Sequence, residues 1–503
     1  MENEKLALKP GAYRLLHKII RLLAAENIAA YLVGGFVRDL ALNRDTADID
    51  IAVGADARDT ARKIAAALGG KYVSLDEENG VARVIIPDET WHLDFTTLHG
   101  DIEDDLFRRD FTINAMALPL DSNIKASINA TRLIDPYSGL EDLRRRILRV
   151  VNPGVFAADA VRLLRAVRIA AELGLCIERL TEIRLRQCSR LISTVAGERV
   201  REELLRLLAL PGAGHRLTYL DELGLLTAVI PELEQSRGAS QPRPHVWDVL
   251  THSINMVSAV EFLLRQGSWE YAAETILASV PWPEKLSRHF EEEIGHGSTR
   301  KTLLKLAALL HDIAKPDTKA TDAEGRTRFL GHPQAGASAA ASVMTRLRFS
   351  NREIQHIELL IKYHLRPTQM SHEGTPTRRA IYRYFRDTSE TGIDLLFLSL
   401  ADHLAARGAT LDPRQWEEHT QITRDVLARH EEEANIPKQV GLVDGHDIIN
   451  AFRLTPGPQI GKLLEAVREA QAAGEVTDRQ QALLYIERFL AQDDTSGTNL
   501  IKE

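Results

Sequence analysis

Two aspartates in an apolar run, Asp48-Ile-Asp50-Ile-Ala-Val53, follow closely on a diglycine turn, Leu32-Val-Gly34-Gly35-Phe-Val-Arg38-Asp39. A strand alternates faces with a period of two, so Asp48 and Asp50 share one face while Ile49 and Ile51 turn to a core. Two carboxylates held this close repel unless a cation lies between them. A hard ion such as Mg²⁺, already carried by the phosphates of a nucleotide, answers that need. The Gly34-Gly35 turn supplies bare backbone N–H groups near a helix start, where an anion is welcome. An Asp-x-Asp alone is common on surface loops, and a Gly-Gly alone is usually a turn. Together they form a phosphate cradle beside metal carboxylates, the equipment for nucleotidyl transfer.

The chain has 503 residues, 44% hydrophobic and 27% charged, enough for several globular domains. Strand patterning marks Tyr31–Val33, Asp48–Val53, Val81–Ile86 and His92–Phe95, with helical periodicity over residues 13–26 and 57–68. From about residue 155 the period is helical, over 156–173, 178–191, 199–208, 246–264, 301–314, 334–347, 351–363, 392–406 and 461–491. The expected fold class is therefore multidomain α+β: a small mixed-sheet, palm-like head over residues 1–150, followed by all-α segments. These are a neck over 151–240, a further helical domain over 241–430 and a helical tail over 431–503. The Pro-rich break Gln241-Pro-Arg-Pro-His245 marks one boundary, and Asp493 onward reads as a disordered end.

No apolar run is long enough to cross a membrane, and the first residues lack a signal-peptide layout. Two cysteines, Cys176 and Cys188, without metal spacing, fit a reducing cytoplasm. The net charge of −8 argues against a uniformly basic coat for nucleic acid. Residues 141–216, however, hold fifteen arginines, no lysine and nine acidic residues, a local phosphate-binding surface in an acidic chain.

Downstream, Arg108-Arg109-Asp110-Phe111-Thr-Ile-Asn114-Ala suits a triphosphate and a ribose, because guanidinium forks bind phosphoryl oxygens and a carboxylate accepts from sugar hydroxyls. Asp94, in His92-Leu-Asp94-Phe, is either a third carboxylate beside Asp48 and Asp50 or a structural partner for an arginine. In Asp159-Ala-Val-Arg162-Leu-Leu-Arg165-Ala-Val-Arg168 the charged groups recur every three residues, so Asp159, Arg162 and Arg165 are expected along one helical face.

Gly34-Gly35-x-x-Arg38-Asp39 with Asp48-x-Asp50 resembles the head signature of class II tRNA nucleotidyltransferases and bacterial poly(A) polymerases. Arg-Arg-Asp-Phe-Thr-x-Asn-Ala at 108–115 is similar to the second motif of that family, and Asp135-Pro-Tyr-Ser-Gly139-Leu-Glu-Asp142 to the third, which reads as mainly structural. The resemblance implies that Asp48 and Asp50 are catalytic and hold Mg²⁺. It further implies that Gly34, Gly35, Arg38 and Arg109 position the triphosphate, and that Asp110 and Asn114 serve the nucleotide. It assigns Asp159 and Arg162 to reading the base, and counts Arg165 and Arg168 among the nucleotide-binding residues. The chain departs from the family at Ala158, where an acidic residue is common. It departs again between Phe95 and Arg108, where twelve residues replace the longer flexible loop of full CCA-adding members. That shortness points toward partial addition, CC only, or an altered nucleotide preference. Gly197-Glu198-Arg199-Val-Arg201-Glu-Glu203 is similar to the last neck motif and is expected to brace the neck by ion pairs.

The second half carries His252, His311-Asp312 with Lys315, His332, His364 and Asp402, each at or near the end of an apolar helix. Imidazoles and carboxylates so placed make a divalent-metal cage in a bundle core. The set His252, His311, Asp312 and Asp402 resembles the HD superfamily of metal-dependent phosphohydrolases, and His332 with His364 extends it to a two-metal layout. An unspecified divalent transition metal is expected there. His446-Asp447 follows a glycine turn and is not a second such pair.

The expectation is an enzyme that transfers C and/or A from CTP and ATP to the 3′ end of tRNA with release of pyrophosphate. The alternatives are a poly(A) polymerase, a protein acting chiefly as an HD-type phosphohydrolase or phosphodiesterase, and an RNA-binding module. The oligomeric state is left open.

Overall fold

The computed structural model describes residues 5–76, 80–87, 91–371, 376–435 and 441–497. It divides into two compact units, one of residues 1–207 with 219–229 and one of residues 208–218 with 230–503.

The first unit is built on a six-stranded mixed sheet in the order Lys71–Asp76, Val81–Ile85, His92–Thr97, Asp48–Val53, Ala30–Val33 and Ala117–Pro119. All neighbours are antiparallel except Asp48–Val53 and His92–Thr97, which run parallel with Asp50 opposite Asp94. Ile49, Ile51 and Val53 are fully buried, as the alternation requires. The helix Ala57–Leu68 covers this sheet, started by the Asp56 side chain accepting from the Arg58 and Asp59 amides. The strand Lys71–Asp76 has no counterpart among the sequence expectations. It is an edge strand with a register shift between Ser74 and Asp76 and an exposed Leu75, so it lacks a clean two-residue alternation.

Beyond residue 154 this unit is largely helical, with helices at Val155–Ala158, Arg162–Leu173, Arg179–Cys188 and Gly197–Ala209. The single helix expected over 156–173 is broken at Asp159, whose backbone is extended (φ −153°) and whose carboxylate accepts from the Val161 amide at 3.4 Å. Aspartate competes with the helix for its own backbone and so favours such breaks.

In the second unit the helices Val249–Leu263, Arg300–Leu310 and Gly392–Arg407 pack together, with His332–Arg346 paired to Asn351–Tyr363. A capping box between Ser350 and Glu353 fixes the start of Asn351–Tyr363. Gly445–Phe452, Pro458–Ala473 and Arg479–Gly497 share a core around Ile448, Leu463, Val467 and Ile486. The helix expected over 461–491 is two helices, because Gly474 at φ +75° closes the first. Helix also continues through Asp493 to Gly497, where the polar composition predicts a disordered end; residues 498–503 lie outside the described set. Asp447 forms a capping box with Asp444, in keeping with its exclusion as a metal ligand. No helix among the described residues is long and apolar enough to cross a membrane.

Candidate active site

The head site forms where the strand Ala30–Val33 runs straight into the helix Gly34–Ala41. Gly34 has φ +67°, and a Cβ there would sit 2.8 Å from Arg109 Nη1 and 3.0 Å from Asp50 Oδ2. Glycine is thus required both by conformation and by space, and Arg109 and Asp50 converge on the turn. Burial pushes the Asp50 carboxyl up to about 6; Arg109 opposes the shift, while Asp94 and Asp48 add to it. Asp48 is more exposed, with Oδ1 3.5 Å from Arg83 Nη2 and 3.4 Å from His92 Nδ1. A buried carboxylate beside two others is a poor place for three negative charges and a good one for a divalent cation. Asp94 stands opposite Asp50 and accepts from Arg83 Nε and Nη2 at 2.7 Å each, so it is both a third carboxylate of the site and the partner of an arginine. Arg109 is steadied by Asp105, which accepts from its Nε and Nη2 at 3.0 and 2.9 Å.

The remaining head motifs are linked in one network. Arg38 donates to Asp39 and, at 2.9 Å, to Asn114 Oδ1; Asn114 Nδ2 donates to Asp110 Oδ1 at 3.0 Å. Asp110 Oδ2 lies 3.5 Å from Arg165 Nη1, and Arg165 Nε donates to Glu203 at 3.0 Å. Glu203 is buried and takes a second bond of 2.5 Å from Arg168, which also holds Glu172 at 2.7 Å. Asp110 is thus held by Asn114 and Arg165, while Arg38 and Arg168, expected at the nucleotide, are engaged one bond further out, with Asp39 and Asn114 and with Glu203 and Glu172. Glu203 braces the neck, as expected of its motif.

Asp159 and Arg162 do not share a helical face, because Asp159 precedes the helix Arg162–Leu173. They remain neighbours, with Arg162 Nε 3.8 Å from Asp159 Oδ2. The nearer partner of Asp159 is Arg199, forty residues on, whose Nη1 and Nη2 donate to Oδ1 and Oδ2 at 3.0 and 2.8 Å. Arg162 Nη2 donates to the Arg108 carbonyl at 3.0 Å, and its Nε is buried without a hydrogen-bond partner. Burial lowers its guanidinium against the pull of Asp110 and Asp159. The twelve residues between Phe95 and Arg108 include an ordered helix, Ile102–Phe107, started by a capping box of Asp101 and Asp104.

The histidine site lies wholly in the second unit. His311 follows the helix Arg300–Leu310, His332 opens His332–Arg346, His364 follows Asn351–Tyr363, and His252 and Asp402 lie within helices. The Nδ1 atoms of His311, His332 and His364 each face the carbonyl three residues back, Ala308, Phe329 and Ile361, at 2.9, 2.7 and 2.7 Å. That bond fixes the tautomer and bares Nε2 for a metal. The three Nε2 atoms lie 2.9, 3.5 and 3.9 Å from Asp312 oxygens, and His252 Nε2 is 3.1 Å from Asp402 Oδ1. His332 and His364 bring their Nε2 atoms within 3.2 Å, and burial drives His364 down to about 4. Two neutral imidazoles facing lone pair to lone pair call for a cation between them. Asp312 Oδ1 and His252 Nδ1 are buried without hydrogen bonds, and imidazoles and carboxylates crowd together around them, so the residues fit a divalent metal. Burial would raise Asp312, yet His311 and Lys315 hold it well below the usual carboxylate range.

Sequence reasoning missed Arg199 as a partner of Asp159, Asp105 and Arg83 as partners within the head site, and His245 beside His252. None of these pairs carries a local spacing signal except Asp105 and Arg109, four residues apart on a helical turn.

Family profiles match the chain as a Poly A polymerase head domain over residues 30–149, a probable RNA and SrmB-binding site of polymerase A over 174–236, and an HD domain over 284–407. The A-adding tRNA nucleotidyltransferase of Deinococcus radiodurans is 34% identical over 475 residues, covering 93% of this chain and 97% of the relative. The CC-adding tRNA nucleotidyltransferase of Thermus thermophilus is 33% identical over 464 residues, covering 91% and 93%. Among solved structures, the Thermotoga maritima CCA-adding enzyme complexed with tRNA aligns with a TM-score of 0.60 at 22% identity, over 96% of each chain. A CCA-adding enzyme in complex with ATP aligns with 0.64 at 22%, again over 96% of each. These structures share the fold.

Proposed function

The chain belongs to the tRNA nucleotidyltransferase and poly(A) polymerase family, and on that premise we propose that it adds C or A to the 3′ end of tRNA from CTP or ATP, releasing pyrophosphate. The observation that carries the reading is the convergence of Asp50, Arg109 and the Gly34 turn, with Asp48 on the same sheet face. Asp48 and Asp50 hold the metal; magnesium, when bound there, supplies the charge that neutralises the reacting phosphate and activates the attacking hydroxyl. Arg109 and the Gly34-Gly35 amides grip the triphosphate, and Asp110, set by Asn114 and Arg165, receives the ribose. Asp159 and Arg162 present an acceptor and donors to the base edge, a protein template in place of a nucleic-acid one. Positioning and charge neutralisation supply the rate, and no covalent intermediate is needed.

Partial rather than complete CCA addition is supported by the short connection after Phe95, occupied by an ordered helix, and by relatives that are A-adding and CC-adding. The histidine cage favours a second, hydrolytic activity on phosphate esters with a transition-metal ion held by His252, His311, Asp312 and Asp402, and another by Asp312, His332 and His364. The two cysteines, both free, fit a cytoplasmic enzyme.

The test is incubation of tRNAs lacking all or part of the 3′ end with CTP and ATP separately, with products resolved at single-nucleotide length. A stop after one or two additions supports the proposal, and a long adenylate tail supports a poly(A) polymerase instead. Asp48→Ala with Asp50→Ala must abolish incorporation; incorporation at the wild-type rate rules out the site.

A further inference from the structure

We propose that His245 is a ligand of the divalent ion at the His252 end of the cage, adding a side chain from the Pro-rich loop to the set on the helices. The inference rests on the reading of this cage as a metal site.

Three observations carry it. A nitrogen of His245 lies within 4.8 Å of ligand atoms of both His252 and Asp402, a limit also met by His252–His311–Asp312 and by Asp312–His332–His364. Its ring stands edge-on to that of His252, with centroids 5.0 Å apart, as the ring of His311 stands to His252 at 5.3 Å. Most telling is its tautomer. His245 Nδ1 faces the carbonyl of Pro242, three residues back, at 3.1 Å. His311, His332 and His364 use the same device, Nδ1 on the carbonyl three residues back, to bare Nε2 toward the cage. Nothing about a surface loop requires a histidine to repeat it.

The loop is also tied to the cage independently of any ion. Gln241 Oε1 accepts from Lys315 Nζ at 2.6 Å, and the same Nζ lies 2.6 Å from Asp312 Oδ2. The chain Gln241–Lys315–Asp312 holds the segment four residues before His245 against the central carboxylate. His252 Nδ1, by contrast, is buried without a hydrogen bond. The helices already bring His252, His311, Asp312 and Asp402 to this ion, and His245 adds a further donor from the loop, beside His252 and Asp402.

The test is metal binding by the full chain, stripped with chelator and titrated with Co²⁺. Stoichiometry is read by equilibrium dialysis and elemental analysis, and coordination by the visible spectrum. Wild type, His245→Ala, His245→Gln and Asp312→Ala are compared, with circular dichroism and a thermal melt of each stripped protein. The expected result is that both His245 variants lose affinity for one ion by roughly tenfold or more, with an altered Co²⁺ spectrum and an unchanged melt of the stripped protein. Wild-type affinity and spectrum in His245→Ala, with metal uptake lost in Asp312→Ala, overturns the role of His245 alone. Absence of uptake by the wild type overturns the metal reading of the cage and this inference with it. Loss of affinity in His245→Ala matched by an equal fall in the stripped melt, and recovered in His245→Gln, assigns the residue to packing and overturns it as well.

Discussion

Arg199 closes both oxygens of Asp159 in a two-bond fork, at 3.0 and 2.8 Å, although the two residues are forty positions apart. The fork, against burial, holds the Asp159 carboxyl below its usual range and so keeps it an acceptor at any working pH. An acceptor whose direction is fixed can distinguish an exocyclic amine from a carbonyl on a base. Arg199→Ala removes the two-bond fork and leaves the Asp159 carboxylate free to turn away from the base. The expected outcome is a fall of roughly tenfold to a hundredfold in kcat/KM for the correct nucleotide, a smaller preference over the wrong nucleotides, and an unchanged KM for tRNA. Arg199→Lys recovers part of the loss. Equal falls for every nucleotide would show that Arg199 serves the neck rather than base choice.

Gly34 makes a sharper demand. Its positive φ costs an L-residue about 1 kcal/mol, and the added methyl of Gly34→Ala meets Arg109 Nη1 at 2.8 Å and Asp50 Oδ2 at 3.0 Å. Both groups must shift from the cradle. The fold should survive, with a Tm lowered by only a few degrees, while nucleotide incorporation falls by roughly a hundredfold or more. Near wild-type incorporation in a folded Gly34→Ala protein contradicts the placement of the triphosphate at this turn.

The Asp50 carboxyl, raised to about 6 by burial, gives a pH dependence of definite sign. Below that value the metal-free side chain carries a proton, and a cation must displace it to bind. Affinity for the magnesium–nucleotide pair should be level above about pH 7 and fall by up to about tenfold per pH unit below about pH 5. A raised carboxyl contributes stability that is present below its unfolded value and lost as pH rises through the folded one. Asp50→Asn should therefore raise the Tm of the metal-free protein more at pH 8 than at pH 5. Nucleotide binding that is flat across this range, measured by titration calorimetry, would refute the buried-carboxylate account.

Features encoded locally are legible in the amino-acid order itself: the alternation in Asp48–Val53, the glycine turn, and the histidines at helix ends all depend on residues close in sequence. The features that escape it depend on packing. Asp159 breaks a helix whose apolar spacing runs on uninterrupted across it, because its carboxylate has better partners off the helix axis. His245 sits in a segment whose prolines signal only a boundary, and its place beside His252 comes from the fold of the loop. The edge strand Lys71–Asp76 hides because neither of its faces is wholly buried.

Lys305 interrupts the apolar run of its helix, yet it is fully buried, with Nζ 2.9 Å from Glu261 Oε1 and 2.8 Å from the Leu208 carbonyl. Glu261 in turn accepts from the Ala213 and Gly214 amides at 2.9 and 3.3 Å. The pair thus pins the segment 208–214 to the helices Val249–Leu263 and Arg300–Leu310. Burial pulls the Lys305 ammonium down while Glu261 supports it. Lys305→Met keeps the volume of the side chain but strands a buried carboxylate and a buried carbonyl, a change that costs about 3–5 kcal/mol. Glu261→Gln with Lys305→Met should recover only part of that, because the amide has one acceptor oxygen where the carboxylate has two, so one of the two backbone N–H groups faces its Nε2, and the Leu208 carbonyl stays unmet. Urea unfolding followed by circular dichroism reads both numbers. A cost below about 1 kcal/mol for Lys305→Met would show the pair to be hydrated and the segment to be held by its apolar contacts alone.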